Sequence, residues 1–242
     1  CAKSSGGTSL NDKRDEEKPT GGVAGFFDVD GTLGSTNVVL AYLAFRLHGT
    51  SRLRRWAFSA LFLPKVPFYA ALDTFSRERF NEVFYRNYAA VRLSDLEMWA
   101  AEAGRQFWDR GLFPGALRQL DDHRARGHRI VLVSGGIEPI LRPLAQMLAP
   151  DAVVAAQPEM EDGRLTGRLV GGPLSGHKKA RAAQEVAATL GVDLQQSYAY
   201  ADSYADREIL ECVGHPVAVN PDRRLRRLAR SRGWQIRRWR HR

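Results

Sequence analysis

The sequence predicts an α/β protein built on a doubly wound, Rossmann-like parallel sheet, with an all-helical insertion after the first strand. Three observations lead there. Short apolar runs recur, each closing on a polar residue: residues 23–27 before Asp28, 129–133 before Ser134, and 197–201 before Asp202. Helical patterns alternate with these runs, the arrangement expected of parallel strands covered on both faces. About a hundred residues separate the first run from the second, too many for a loop in a compact domain. They carry apolar residues at spacings of three and four.

The elements follow in order. Residues 1–22 are Ser/Gly-rich and charged, a composition that buries no core and reads as a disordered arm. A chain opening on Cys1 before a polar tether suits lipid anchoring after signal cleavage, and a trimmed start accounts for it equally well. Residues 23–36 hold the first strand and its loop. Residues 37–111 are expected to form a helical cap, from helices over 37–47, 52–72, 76–90 and 94–110. Within the second of these, 56–63 and 68–72 are apolar on either side of Pro64, Lys65 and Pro67. That pattern suits a hairpin touching a membrane surface, and packing within the cap is the simpler expectation. Residues 112–236 complete the core. They contain a helix over 115–126 and another over 138–148, with Pro139 in a first turn where a missing N–H costs little. A β-hairpin is expected over 153–170, turning at Glu161-Asp162-Gly163. An Ala-rich helix over 177–190 stops at Gly191, and a fourth strand covers 216–219. Residues 237–242 form a basic tail.

Composition narrows the function. The 242 residues are 44% apolar and 26% charged, ordinary for a core domain with an insertion. Two cysteines are too few for a disulfide framework or a thiolate metal site. They point to a reducing, cytoplasmic location, with membrane association as a further option. No apolar run reaches the roughly 18 residues of a spanning helix. The formal charge is +9, and the ten arginines and single acid (Asp222) between Pro221 and Arg242 account for all of it. Such a segment attracts nucleic acid or anionic membrane; a solvated helix face followed by a frayed end is the simpler expectation.

In a parallel sheet, ligands bind beyond the carboxyl ends of the strands, where Asp28, Ser134 and Asp202 converge. Asp28-Val29-Asp30-Gly31-Thr32 places two carboxylates two residues apart in a tight turn. One carboxylate can attack an electrophile while the other moves a proton. Ser134-Gly135-Gly136 puts a hydroxyl and flexible backbone before a helix start, a place for a phosphoryl oxygen. Lys178 and Lys179 open the next helix, and either supplies a cation. Asp202 and Asp206 follow the third strand and complete an oxygen-lined site for a hard cation such as Mg²⁺.

Together these four segments resemble the haloacid dehalogenase superfamily, in the branch (subfamily IB) that includes phosphoserine phosphatase and carries a C1-type helical cap between the first and second motifs. The resemblance covers roughly residues 23–220. It implies a Mg²⁺-dependent phosphomonoester hydrolase that forms an aspartyl-phosphate on Asp28, with Asp30 as general acid/base. It further implies phosphate binding by Ser134, Gly135 and Lys179, and metal ligation by Asp28, Asp30 (through its backbone carbonyl) and Asp202. Asp206 supports the metal or the lysine. Lys179 is preferred to Lys178 because Ala180, Ala182 and Ala183 then continue the helix as in the family.

Two positions depart from the branch. Asn37 stands where phosphoserine phosphatases carry a Glu, and Ala205 where they often carry Asn, so the substrate contacts are expected to differ. A small or lipid-like phosphomonoester is the expected substrate. A phosphotransferase on the same scaffold, and a nucleic-acid or membrane-binding module using the arginine-rich end, are the alternatives.

Overall fold

The computed structural model describes residues 21–241; but for Gly21 and Gly22, the expected arm and its Cys1 lie outside the described residues. Six strands form one parallel sheet: β1 (Ala24–Asp28), β2 (Arg129–Ile137), β3 (Ala152–Ala156), β6 (Tyr198–Ala201), β7 (His215–Val219) and β8 (Gln235–Arg237), in the order β3-β2-β1-β6-β7-β8. Parallel pairing sets Asp28 opposite Val133, and Phe27 opposite both Leu132 and Tyr200.

Side chains alternate across the sheet, as the two-residue period of a strand requires. Phe27, Ile130, Leu132, Tyr200 and Val217 face one side, where α7 (Pro114–Ala125) and α8 (Glu138–Leu148) cover them. Phe26, Val131, Val133, Ala199 and Ala218 face the other, against Ala180, Ala183 and Ala187 of α9 (His177–Leu190). The short α10 (Arg207–Glu211) and α11 (Arg223–Ser231) complete that layer through Ile209, Leu210, Leu225 and Ala229. The alanine stripe lets α9 lie close to the strands, and both faces end up buried.

Between β1 and α7 the chain is helical: α1 (Val38–Leu47), α2 (Arg52–Phe62), α3 (Val66–Phe75), α4 (Arg77–Tyr85), α5 (Leu93–Trp99) and α6 (Arg105–Gly111). The helix expected over 52–72 breaks at a 3₁₀ turn, Leu63–Lys65, because Pro64 and Pro67 cannot donate to a continuing ladder. Ser51 and Ser76 cap the starts of α2 and α4. An aromatic core of Tyr42, Phe62, Tyr69, Phe80, Phe84 and Tyr88 holds the insertion together and joins it to the sheet.

Two expectations are corrected. Residues 152–156 are the edge strand of the parallel sheet, and the hairpin is confined to β4 (Pro158–Glu161) and β5 (Arg164–Leu169). The frayed basic end is not found up to residue 241. β8 pairs with β7, Trp239 is buried, and Asn220 exchanges hydrogen bonds with the Trp239 backbone at 2.9 and 3.0 Å. His123 of α7 is buried, bonded to Tyr200 and His128 at 2.8 and 2.9 Å. Burial, then the neighbouring His128, pulls its pKa down to about 4.

Candidate active site

β1 ends on Asp28 and the chain turns at once. Leu33 N–H donates to the Val29 carbonyl and Gly31 N–H to the Gly34 carbonyl, each at 3.0 Å. Gly31 has φ +82°, and a Cβ there would lie 2.1 Å from Asp202 Oδ2. Glycine therefore satisfies both the left-handed turn and the close approach of the carboxylate.

The structure brings the expected residues to the carboxyl end of the sheet. Asp28 is buried at the end of β1, and Lys179, in the first turn of α9, places its Nζ 2.5 Å from Asp28 Oδ1 and 2.8 Å from Asp206 Oδ1. Lys178 points elsewhere, to the Gly171 carbonyl at 3.0 Å and towards Glu78. The geometry separates the two lysines, and Lys179 is the buried one. Asp30 turns to Ser134, whose hydroxyl lies 3.5 Å from Asp30 Oδ2 and accepts from Gly136 N–H at 2.9 Å.

Carboxylate oxygens of Asp28, Asp202 and Asp206 come within 4.8 Å of one another. Asp28 Oδ2 and Asp202 Oδ1 are buried with no hydrogen-bond partner. Buried carboxylate oxygens without a partner are costly, and a bound cation would satisfy both. An all-oxygen donor set of this kind fits a hard divalent ion such as Mg²⁺. The Asp30 carboxylate stands apart from that trio.

The electrostatics follow from burial and crowding. Burial raises the Asp28 carboxyl and Asp206 adds to the rise, while Lys179 opposes it. Burial, with Asp28 and Asp206 beside it, pushes Asp202 far above the carboxylate range. Burial and the Asp28 charge lift Asp30 to about 7, a value poised for proton transfer near neutrality. Lys179 is held charged: burial works against its ammonium, but Asp206 and Asp28 outweigh it.

Two residues that the strand-end motifs do not reveal complete the crevice. Arg77 and Asn81 of α4 line a cavity of about 30 Å³ together with Asp28, Asp30, Gly135, Lys179 and Asp206. Tyr85, also on α4, donates its hydroxyl to the Gly135 carbonyl at 2.9 Å and ties the insertion to the phosphate-loop candidate. Asn37, the departure noted above, accepts from Leu40 N–H at 2.9 Å as the N-cap of α1.

Comparison with known proteins agrees with the fold. The haloacid dehalogenase-like hydrolase family model matches residues 26–211. The chain is 32% identical to the "Inhibition of morphological differentiation protein" of Streptomyces azureus, over 88% of this chain and 77% of that one. It is 31% identical to a "Probable phosphatase" of Mycobacterium tuberculosis, over 90% of this chain and 76% of that one. A solved structure described as a "Phospho-Aspartyl Intermediate Analogue of Phosphoserine phosphatase" shares the fold, with a TM-score of 0.64 at 17% identity over 90% of this chain and 93% of the other. The chain belongs to the haloacid dehalogenase-like hydrolases, and is an enzyme of their phosphatase branch.

Proposed function

We propose that this hydrolase cleaves phosphomonoesters with Mg²⁺, through a phosphoryl group carried on Asp28. The observation that carries this reading is the buried Asp28–Lys179–Asp206 array, with unsatisfied oxygens on Asp28 and Asp202 beside it. Uncatalysed phosphomonoester hydrolysis is among the slowest reactions known, so catalysis rests on positioning and charge neutralisation. Asp28, Asp202 and the Asp30 backbone carbonyl would hold Mg²⁺, which supplies the charge that offsets repulsion between a carboxylate nucleophile and a phosphoryl dianion. Lys179, Ser134 and the backbone at Gly135 bind the phosphoryl oxygens. An Asp28 oxygen attacks phosphorus and the ester P–O bond breaks, while Asp30 gives its proton to the leaving alkoxide. Asp30 then takes a proton from water as that water attacks the phospho-aspartate, which releases inorganic phosphate and restores Asp28. The raised Asp30 pKa supports both halves of this exchange.

Purified protein is tested on p-nitrophenyl phosphate with Mg²⁺, with EDTA, and as Asp28→Asn. Turnover that requires Mg²⁺ and disappears in Asp28→Asn is the expected result. Turnover in EDTA, or in the variant, would rule the reading out.

A further inference from the structure

The helical insertion carries a surface that the fold does not use. α2 and α3 are anchored by Phe62, Tyr69 and half-buried Phe58, whereas Leu53, Trp56, Leu61, Leu63, Phe68 and Phe75 are 54–85% exposed. Large apolar side chains clustered in this way mark an interaction surface. Arg52, Arg54, Arg55 and Lys65 are exposed in the same segment. No Asp or Glu occurs between Asp30 and Asp73. The surface is therefore apolar and cationic at once.

Its foot reaches the crevice. Asp73, near the end of α3, pairs with Arg77 at 3.0 Å, and Arg77 lines the cavity. A second cationic element begins close by: Asp222 N–H donates to the Asp202 carbonyl at 2.9 Å, and Asp222 caps α11, whose first residues are the exposed Arg223 and Arg224. Helices of 11 and 10 residues are too short to cross a bilayer, and no helix among the described residues is long and apolar enough to do so. They are long enough to lie in its interface, where apolar side chains enter the headgroup–acyl boundary and arginines meet anionic headgroups. Nucleic acid offers the charge but no apolar layer, and a second copy would bring the same positive charge against itself.

We propose that the α2–α3 segment docks this protein on an anionic lipid bilayer, with the active-site crevice held beside the membrane surface. The docking surface stands apart from the chemistry; that the substrate is an amphiphilic phosphomonoester held in that bilayer rests on the function proposed above.

Co-sedimentation with phosphatidylcholine vesicles, with and without phosphatidylglycerol, tests the docking. The wild-type protein is expected to sediment with the phosphatidylglycerol vesicles, and less so at high salt. The L53S/W56S/L61S variant, which alters only exposed side chains, is expected to partition about tenfold more weakly while melting at the wild-type temperature. Asp28→Asn is expected to sediment like the wild type, so loss of the phosphatase reading and loss of docking are told apart. Wild-type protein left in the supernatant, or a triple variant that binds undiminished, overturns the proposal. So does a concentration-dependent dimer in sedimentation velocity that the triple variant abolishes, since it gives this surface to a second copy.

Discussion

Lys179 sits where two buried carboxylates need it, and its neighbour Lys178 does not. Lys179→Met leaves Asp28 and Asp206 buried without a counter-charge. It is expected to cost about 3–5 kcal/mol in urea unfolding of the Mg²⁺-free protein. Lys178→Met is expected to stay within about 0.5 kcal/mol of wild type. The raised carboxyl groups make a second prediction. Asp30 moves from an ordinary 3.8 to about 7 on folding, so its contribution favours the Mg²⁺-free fold at low pH and is lost as pH rises through that window. Asp28 and Asp202 shift in the same direction. Mg²⁺ relieves the crowding that appears as these groups ionise, so the rise in melting temperature on adding Mg²⁺ should grow between pH 5 and pH 8; a rise independent of pH would refute it. Asp28, Ser134 and Asp202 were legible in the sequence because each closes an apolar run, and Asp30 because it follows Asp28 by two residues in a tight turn. Arg77 and Asn81 were not legible. They lie on an amphipathic helix whose docking is decided by long-range packing of aromatic side chains.

At the scale of elements, α4 is the link between insertion and core. Its Tyr85 hydroxyl reaches the Gly135 carbonyl across 50 positions of sequence. Tyr85→Phe removes that hydrogen bond and is expected to cost about 0.5–1.5 kcal/mol, read from denaturant midpoints at constant m-value. A smaller change would mean that water replaces the hydroxyl. The helices of the insertion were legible from their spacing, but not their breaks. Pro64 and Pro67 interrupt the helical ladder with one 3₁₀ turn, while Phe62 and Tyr69 on either side stay buried in the aromatic core. The strand at 152–156 was misassigned to a hairpin for a related reason. Its apolar run continues into alternating residues, and only pairing with β2 shows where the sheet stops.

Across the whole molecule, the basic C-terminal segment belongs to the fold. Leu225 and Ala229 of α11 are fully buried, β8 extends the sheet, and Trp239 stacks with Tyr200 at 5.9 Å between ring centres. Removing residues 233–242 is expected to destabilise the protein by at least about 3 kcal/mol, the cost of losing one buried Trp, before the strand is counted. A truncated protein that melts with the wild type would contradict that placement. Net charge does not reveal this, because the arginines alternate with Leu225, Ala229 and Trp239, which are buried while most of the arginines stay exposed. The parallel sheet itself was legible from alternation of strand and helix, which leaves few topologies open.

The claim at the centre of this account is that Asp28 accepts the phosphoryl group. Acid quenching during turnover of p-nitrophenyl phosphate with Mg²⁺, followed by mass spectrometry of peptides, tests it most directly. The account predicts the added mass of one phosphoryl group on the peptide containing Asp28, absent in Asp28→Asn and absent without Mg²⁺. Sustained Mg²⁺-dependent turnover in Asp28→Asn, or a phosphoryl group on any other residue, would contradict it.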